Sequence, residues 1–251
     1  MIKLWYYFNG DIMQRYFIEN KYINENRVII LGKDFHHIKN VMRFNIGDEI
    51  IVVDYQKNVF LTKITEFRKK AVVAKILEPI TAIDSTMNLS IAQSLIKKDN
   101  MELVLQKTTE LGVNEIIPLR AKRSIVKIDD FRKKKIRYET IVKEASEQSE
   151  RCALPIISEI HEIESLQYSD FDLVLVAYAR NSSESNLSNV LKPIDENTKI
   201  LVLIGPEGGF SNEELDYLSD KATFVSLGST ILRSETAAIY VTSSLRYRLE
   251  N

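Results

Sequence analysis

Two apolar runs in the last quarter of the chain each end in a glycine-rich turn, and this pairing restricts the fold more than any other feature. Ile200-Leu201-Val202-Leu203-Ile204 leads into Gly205-Pro206-Glu207-Gly208-Gly209-Phe210. Ala222-Thr223-Phe224-Val225-Ser226-Leu227 leads into Gly228-Ser229-Thr230-Ile231-Leu232-Arg233-Ser234-Glu235-Thr236. A short continuous apolar run ending at turn residues reads as a buried strand. Of the chain's 8 glycines, four (Gly205, Gly208, Gly209 and Gly228) stand in these turns. Glycine used so sparingly marks positive φ, or a place where a ligand approaches the main chain. The two turns therefore read as one binding site made from two loops.

The chemistry of that site is narrowed by what the turns lack. The glycine spacing at Gly205 is not that of a dinucleotide fingerprint, and no Gly-Lys-Ser/Thr follows to make a phosphate loop. Glu207 would repel phosphate and suits a cationic or hydroxyl-bearing ligand. The competing reading is a plain turn into a helix whose capping box is Ser211 with Glu214. In the second turn Ser234 is the expected N-cap of the last helix, with Glu235 and Thr236 in its first turn, where acid is favoured. Arg233 precedes that cap, either at the mouth of a site or in a surface ion pair worth little.

Upstream, the pattern divides. Residues 1–80 contain short runs rich in β-branched and aromatic residues, among them Trp5–Phe8, Arg27–Leu31, Ile50–Asp54, Asn58–Ile64 and Ala71–Leu77. Such spacing predicts a small β-barrel. One helix interrupts it, capped by Asp34, with Ile38, Val41 and Met42 on one face and Lys39 and Arg43 on the other. Pro79–Thr86 has no clear period and marks the boundary between a domain of residues 1–80 and one of residues 81–251. Beyond it strands alternate with helices: a strand at Leu89–Gln93, a helix from Asp99 or Asn100 to Leu111 ended by Gly112, a strand at Val113–Leu119, a long basic helix over Asp130–Arg151, and a strand at Phe171–Tyr178. This rhythm predicts an α/β domain with a mainly parallel sheet.

Charge separates along the same axis. Residues 1–80 carry 13 Lys/Arg against 9 Asp/Glu, residues 97–151 carry 14 against 10, and residues 152–251 carry 7 against 15. The basic first half suits a polyanion, although a solvated mixture of charges is the plainer reading. Cys152 is the single cysteine, which excludes a disulfide framework and fits a reducing compartment. His36 and His37 are adjacent and His161 stands alone, so no metal is expected. No segment resembles a signal peptide or reaches the ~20 apolar residues of a membrane span, and the expected location is cytoplasmic.

At this point the motifs match a known family. Leu203–Ser211 followed by Leu227–Ala237 resembles the paired signature of SPOUT methyltransferases, and more narrowly the family that methylates N3 of a uridine in bacterial 16S ribosomal RNA. Gln106–Val113 with Pro118 and Arg123-Ser124, and Glu144–Arg151, agree with it. So does His36–Arg43, with Met42 where Leu is more usual. The resemblance spans nearly the whole chain.

The resemblance implies a PUA-like β-barrel domain followed by an α/β SPOUT methyltransferase domain threaded into a trefoil knot. It implies a homodimer that binds S-adenosyl-L-methionine and acts on 16S rRNA, within the small ribosomal subunit. The cofactor would be held by Ala177, Ile204, Gly205, Pro206, Glu207, Gly208, Gly209, Leu227, Gly228, Ile231, Leu232 and Ala237. Arg233 and Glu207 would be catalytic, Arg233 stabilising charge on the base and Glu207 accepting a proton. Lys39, Arg43, Lys107, Arg123, Gln148 and Arg151 would meet RNA. From spacing alone, Glu144, Glu147, Gln148 and Arg151 read instead as a solvated helix face. Methylation at another RNA position, or a ribosome-assembly factor that holds the cofactor without methylating, are the alternatives.

Overall fold

The computed structural model describes residues 13–81, 85, 87–128, 130–178 and 186–250, so the strand expected at Trp5–Phe8 lies outside the described residues. The chain divides into two compact units, residues 1–84 with 146–153, and residues 85–145 with 154–251.

The first unit is one sheet. Strands β1 (Arg15–Ile18), β2 (Ile23–Asn24), β3 (Arg27–Leu31), β4 (Glu49–Asp54), β5 (Val59–Phe67) and β6 (Ala71–Ile80) lie in the order β1-β4-β5-β6-β3-β2. Every pairing is antiparallel except β1 with β4. Alternate residues of these strands, Tyr16 and Ile18, Val28 and Ile30, Ile50 and Val52, converge with Ile64 and Val72 on one small core. That is the inward set of a period-two pattern.

The helical insert departs from its expected form. Helix α1 (Gly32–His36) starts with Gly32 at φ +61° and has no side-chain cap at Leu31; Asp34 lies inside its first turn. A π-helical turn, His37–Val41, follows. Its extra residue breaks the expected apolar face: Ile38 is buried, whereas Val41 and Met42 are 57% and 41% exposed. Arg43 then takes φ +56°, a left-handed conformation uncommon for a side chain of that size.

The second unit has a parallel sheet. Its strands are β7 (Asn88–Ser94), β8 (Glu115–Arg120), β9 (Ile156–Ile157), β10 (His161–Glu162), β11 (Leu173–Ala177), β12 (Lys199–Ile204) and β13 (Thr223–Val225). The order is β10-β8-β7-β12-β11-β13, with β9 also paired to β8, and every recorded pairing is parallel. Helices α2 (Lys98–Glu110), α3 (Phe131–Gln148), α4 (Leu187–Val190), α5 (Asn212–Leu218) and α6 (Ser234–Glu250) complete it. Along β12, Ile200, Val202 and Ile204 enter a core with residues of α2, α3, α4 and α6, while Leu201 and Leu203 enter a second core with Leu218 of α5. Both faces are covered, and this is why the run at 200–204 contains no polar residue. Within the first of these cores Tyr138 packs edge-on against Phe131, ring centroids 5.9 Å apart, and burial pushes its phenol up to about 12.

Two chain features shape this unit. Gly112 ends the turn after α2 at φ +96°, where a Cβ would fall 2.7 Å from Ser85 Oγ. Strand β7 lies between β8 and β12, so the chain moves outward from β7 on one side and returns on the other. The carboxyl ends of strands at such a switch point form a crevice.

The last turn of α3 and the residues after it group with the first unit. There Phe17 N donates to Glu147 Oε1 at 3.1 Å, and Arg15 Nη1 donates to Arg151 O at 2.8 Å. A single cut near residue 81 does not anticipate this second crossing.

Candidate active site

The carboxyl ends of β11 and β12, the loop after β12 and the approach to α6 enclose a cleft of about 660 Å³, a volume suited to one small-molecule ligand. Ala177, Ile204, Gly205, Pro206, Glu207, Gly208, Gly209, Ile231, Leu232, Arg233 and Ala237 all line it, and so does Arg123. Leu227 and Gly228 are not among its lining residues. Leu227 packs against the larger core, and Gly228, at φ +133°, shapes the loop, its carbonyl accepting from Ser226 Oγ at 3.0 Å.

The loop after β12 is held from three sides. Glu214 Oε2 accepts from Ser211 N at 2.6 Å and Ser211 Oγ from Glu214 N at 3.2 Å, closing the expected capping box of α5. The other oxygen of Glu214 accepts from Lys122 N at 2.7 Å, which ties in the segment after β8. Arg123 Nη1 donates to Gly208 O at 3.2 Å and Phe210 O at 3.0 Å. Ser234, expected as the cap of α6, is the first residue of that helix. Its hydroxyl donates to Gly205 O at 2.6 Å and accepts from Gln93 Nε2 at 2.9 Å, tying the glycine loop to β7. The glycines there serve different ends: Gly209 turns at φ +68°, whereas a Cβ on Gly205 would meet the Phe210 ring in ordinary contact at 3.4 Å.

Three cationic side chains, Lys97, Arg123 and Arg233, and two carboxylates, Glu207 and Glu235, line the cleft. Glu207 is exposed, and Glu235 is only 7% exposed. The apolar part comes from Ile204, Leu232 and Ala237, with Ile231 79% exposed at the rim.

The residues expected to meet RNA are scattered. Lys39 and Arg43 are exposed on the first unit, Lys39 Nζ standing 5.6 Å from the centroid of the Phe35 ring. Gln148 is exposed, and Lys107 pairs with Glu110 at 2.9 Å. Arg151 is 5% exposed. An enclosed guanidinium cannot present its fork to a phosphate, so Arg151 is corrected to a buried member of the first unit. The solvated-face reading also fails at Glu147, which accepts from the Phe17 amide. Among the described residues no group of three His, Cys, Asp or Glu side chains is placed to hold a metal ion, and no helix is long and apolar enough to cross a membrane.

The sequence profile of an RNA methyltransferase domain matches residues 84–246, and that of an RNA methyltransferase PUA domain matches residues 30–77. The chain belongs to the RNA methyltransferase family. Within that family, the ribosomal RNA small subunit methyltransferase E of Bacillus subtilis is 36% identical over 95% of this chain and 98% of its own length. A methyltransferase of Legionella pneumophila, solved with its cofactor SAM bound, superposes with a TM-score of 0.83 at 28% identity, covering 94% of this chain and 97% of its own. The ribosomal RNA small subunit methyltransferase E of Neisseria gonorrhoeae, solved with S-adenosyl methionine, gives 0.83 at 26% identity over 94% and 98%.

Lys97, Asn100, Tyr178, Phe210 and Glu235 line the cleft without having been assigned to a site from sequence. Lys97 and Tyr178 follow the carboxyl ends of β7 and β11, so the strand-end rule could have found them. Glu235 carries a weaker signal, since an acid in a helix's first turn is ordinarily explained by the helix dipole.

Proposed function

We propose that this chain transfers the methyl group of S-adenosylmethionine to N3 of a uridine in 16S ribosomal RNA of the small subunit. The observation that carries the reading is one cleft, at the strand ends of a family methyltransferase domain, lined by backbone-rich glycine turns, an apolar wall and Arg233. The residues fit the donor. Gly205–Gly209 offer main-chain groups to an adenosine, Ile204, Leu232 and Ala237 offer apolar surface, and the exposed Glu207 carboxylate suits a cationic ligand. When bound, the donor supplies an electrophilic methyl group.

The protein's part follows from the acceptor. Uridine N3 lies on the pairing edge, so the base must be unpaired or turned out to reach the cleft. Its imide loses a proton as the methyl arrives. Arg233, exposed in the cleft, stabilises the negative charge that develops on the base. Glu207, exposed in the same cleft, accepts the departing proton directly or through water. In-line placement of N3 and the methyl carbon supplies much of the acceleration. Lys39, Arg43 and Gln148 of the first unit and Lys107 and Arg123 of the second hold the RNA.

The reading includes the trefoil knot of the SPOUT fold, a homodimer, a cytoplasmic location and no metal. Tyr240 and Tyr247, 45% and 74% exposed one heptad apart on α6, give a partner an aromatic face to cover. Labelled donor incubated with the protein and either deproteinised 16S rRNA or assembled small subunits tests the reaction. Label mapping to a single N3-methyluridine is the expected result. Label at another position, or none on either substrate, overturns it.

A further inference from the structure

We propose that Glu235 is a catalytic residue, the first acceptor of the uridine N3 proton, with Glu207 the route by which that proton reaches solvent. The inference rests on the reaction proposed above and replaces direct proton transfer to Glu207 with a relay through Glu235.

Glu235 lines the cleft beside Arg233, yet only 7% of it is exposed. Its Oε2 is enclosed and has no hydrogen-bond partner among the described residues. A buried carboxylate oxygen left without a donor is costly, and a folded chain retains one where something else completes it. The start of α6 offsets part of that cost through its dipole, but a dipole supplies no donor to Oε2. The surroundings share the deficit. Gln93 holds Ser234 through its Nε2, while its Oε1 has no partner among the described residues; the side chain is fully buried. Gln93 is thus bonded to the residue before Glu235, and each of the two carries an acceptor without a donor.

A neutral imide N–H is the kind of donor this carboxylate lacks. The N3–H bond breaks with its proton going to Glu235. The electron pair left on N3 takes up the methyl group, whose former bonding pair stays on the donor's sulfur. Glu207 stands exposed in the same cleft and can return the proton to water. The two carboxylates so divide the work by exposure: the enclosed one meets the base away from competing water, and the open one meets solvent.

The test uses the full chain with labelled donor and small-subunit rRNA, read as single-turnover transfer, alongside donor affinity by calorimetry and thermal midpoint. E235Q keeps the shape and removes the base. The expected result is a loss of about 100-fold or more in transfer, with donor affinity and midpoint near those of the parent chain. Formate should restore part of the transfer to E235A by occupying the vacated space, and should do nothing for E235Q. Parent-like transfer by E235Q, or a loss of donor affinity that matches the loss of transfer, overturns the assignment. If the parent chain itself methylates no N3 position, the reaction proposed above fails along with it. A parent chain that is active beside a fully active E235Q sinks the Glu235 assignment alone.

Discussion

The two units carry their cations differently. In the first, Lys39 and Arg43 are exposed on or just after an irregular turn between strands, Arg43 in a left-handed conformation. In the second, Arg123 is tied by two hydrogen bonds to the glycine loop, and Lys97 and Arg233 face a formed cleft. Exposed cations on a small sheet attract a polyanion at little structural cost. A cation that also braces a loop cannot be altered without altering the loop. The first unit is therefore built to be charged, and the second to be shaped.

The largest expected effect lies in the cleft. Arg233→Ala should lower the rate of methyl transfer about 100- to 1,000-fold, as losing a charge-stabilising donor does elsewhere. Donor affinity measured by calorimetry should persist; if transfer is unchanged, Arg233 leaves the mechanism. The next effect separates the two kinds of cation. Arg43→Glu should weaken RNA binding and lower the slope of log affinity against log salt by about 1, with donor affinity unchanged. Arg123→Glu should weaken both, because it also releases the carbonyls of Gly208 and Phe210. Equal behaviour of the two variants would erase the distinction between the units.

A smaller effect tests shaping alone. Gly228→Ala places a side chain at φ +133° and should cost about 1–3 kcal/mol of stability, read from denaturant unfolding. Gly205→Ala, with an ordinary contact at 3.4 Å, should cost less stability. The smallest effect is alkaline. The Tyr138 phenol is raised to about 12 in the folded chain from an unfolded value of about 10. Its contribution is complete below pH ~10 and is lost as pH rises from there through about 12. Tyr138→Phe should flatten that part of the stability profile.

Much of the parallel-sheet unit is legible in sequence because its elements are set by local pattern. The run at 200–204 is apolar on both faces, Gly112 marks the end of α2, and Ser211 with Glu214 announces α5. The motifs flanking Gly205 and Arg233 then point to the family. What the sequence hides is made by long-range contact. Ser234 looks like a helix cap until Gln93, 141 residues away, takes its hydroxyl. Arg151 looks like a surface cation until the structure buries it with Arg15. The π turn escapes because one added residue leaves the composition of a helix intact while turning Val41 and Met42 outward.

The return of residues 146–153 to the first unit has a practical consequence for anyone recombining this molecule. A fragment ended at residue 84 would leave the Phe17 amide without the Glu147 carboxylate, and Arg15 without the carbonyl of Arg151. Transplanting the first unit into another enzyme therefore needs two segments of chain rather than one. A chimera that carries only the first should be recovered poorly folded, and supplying the second should restore it.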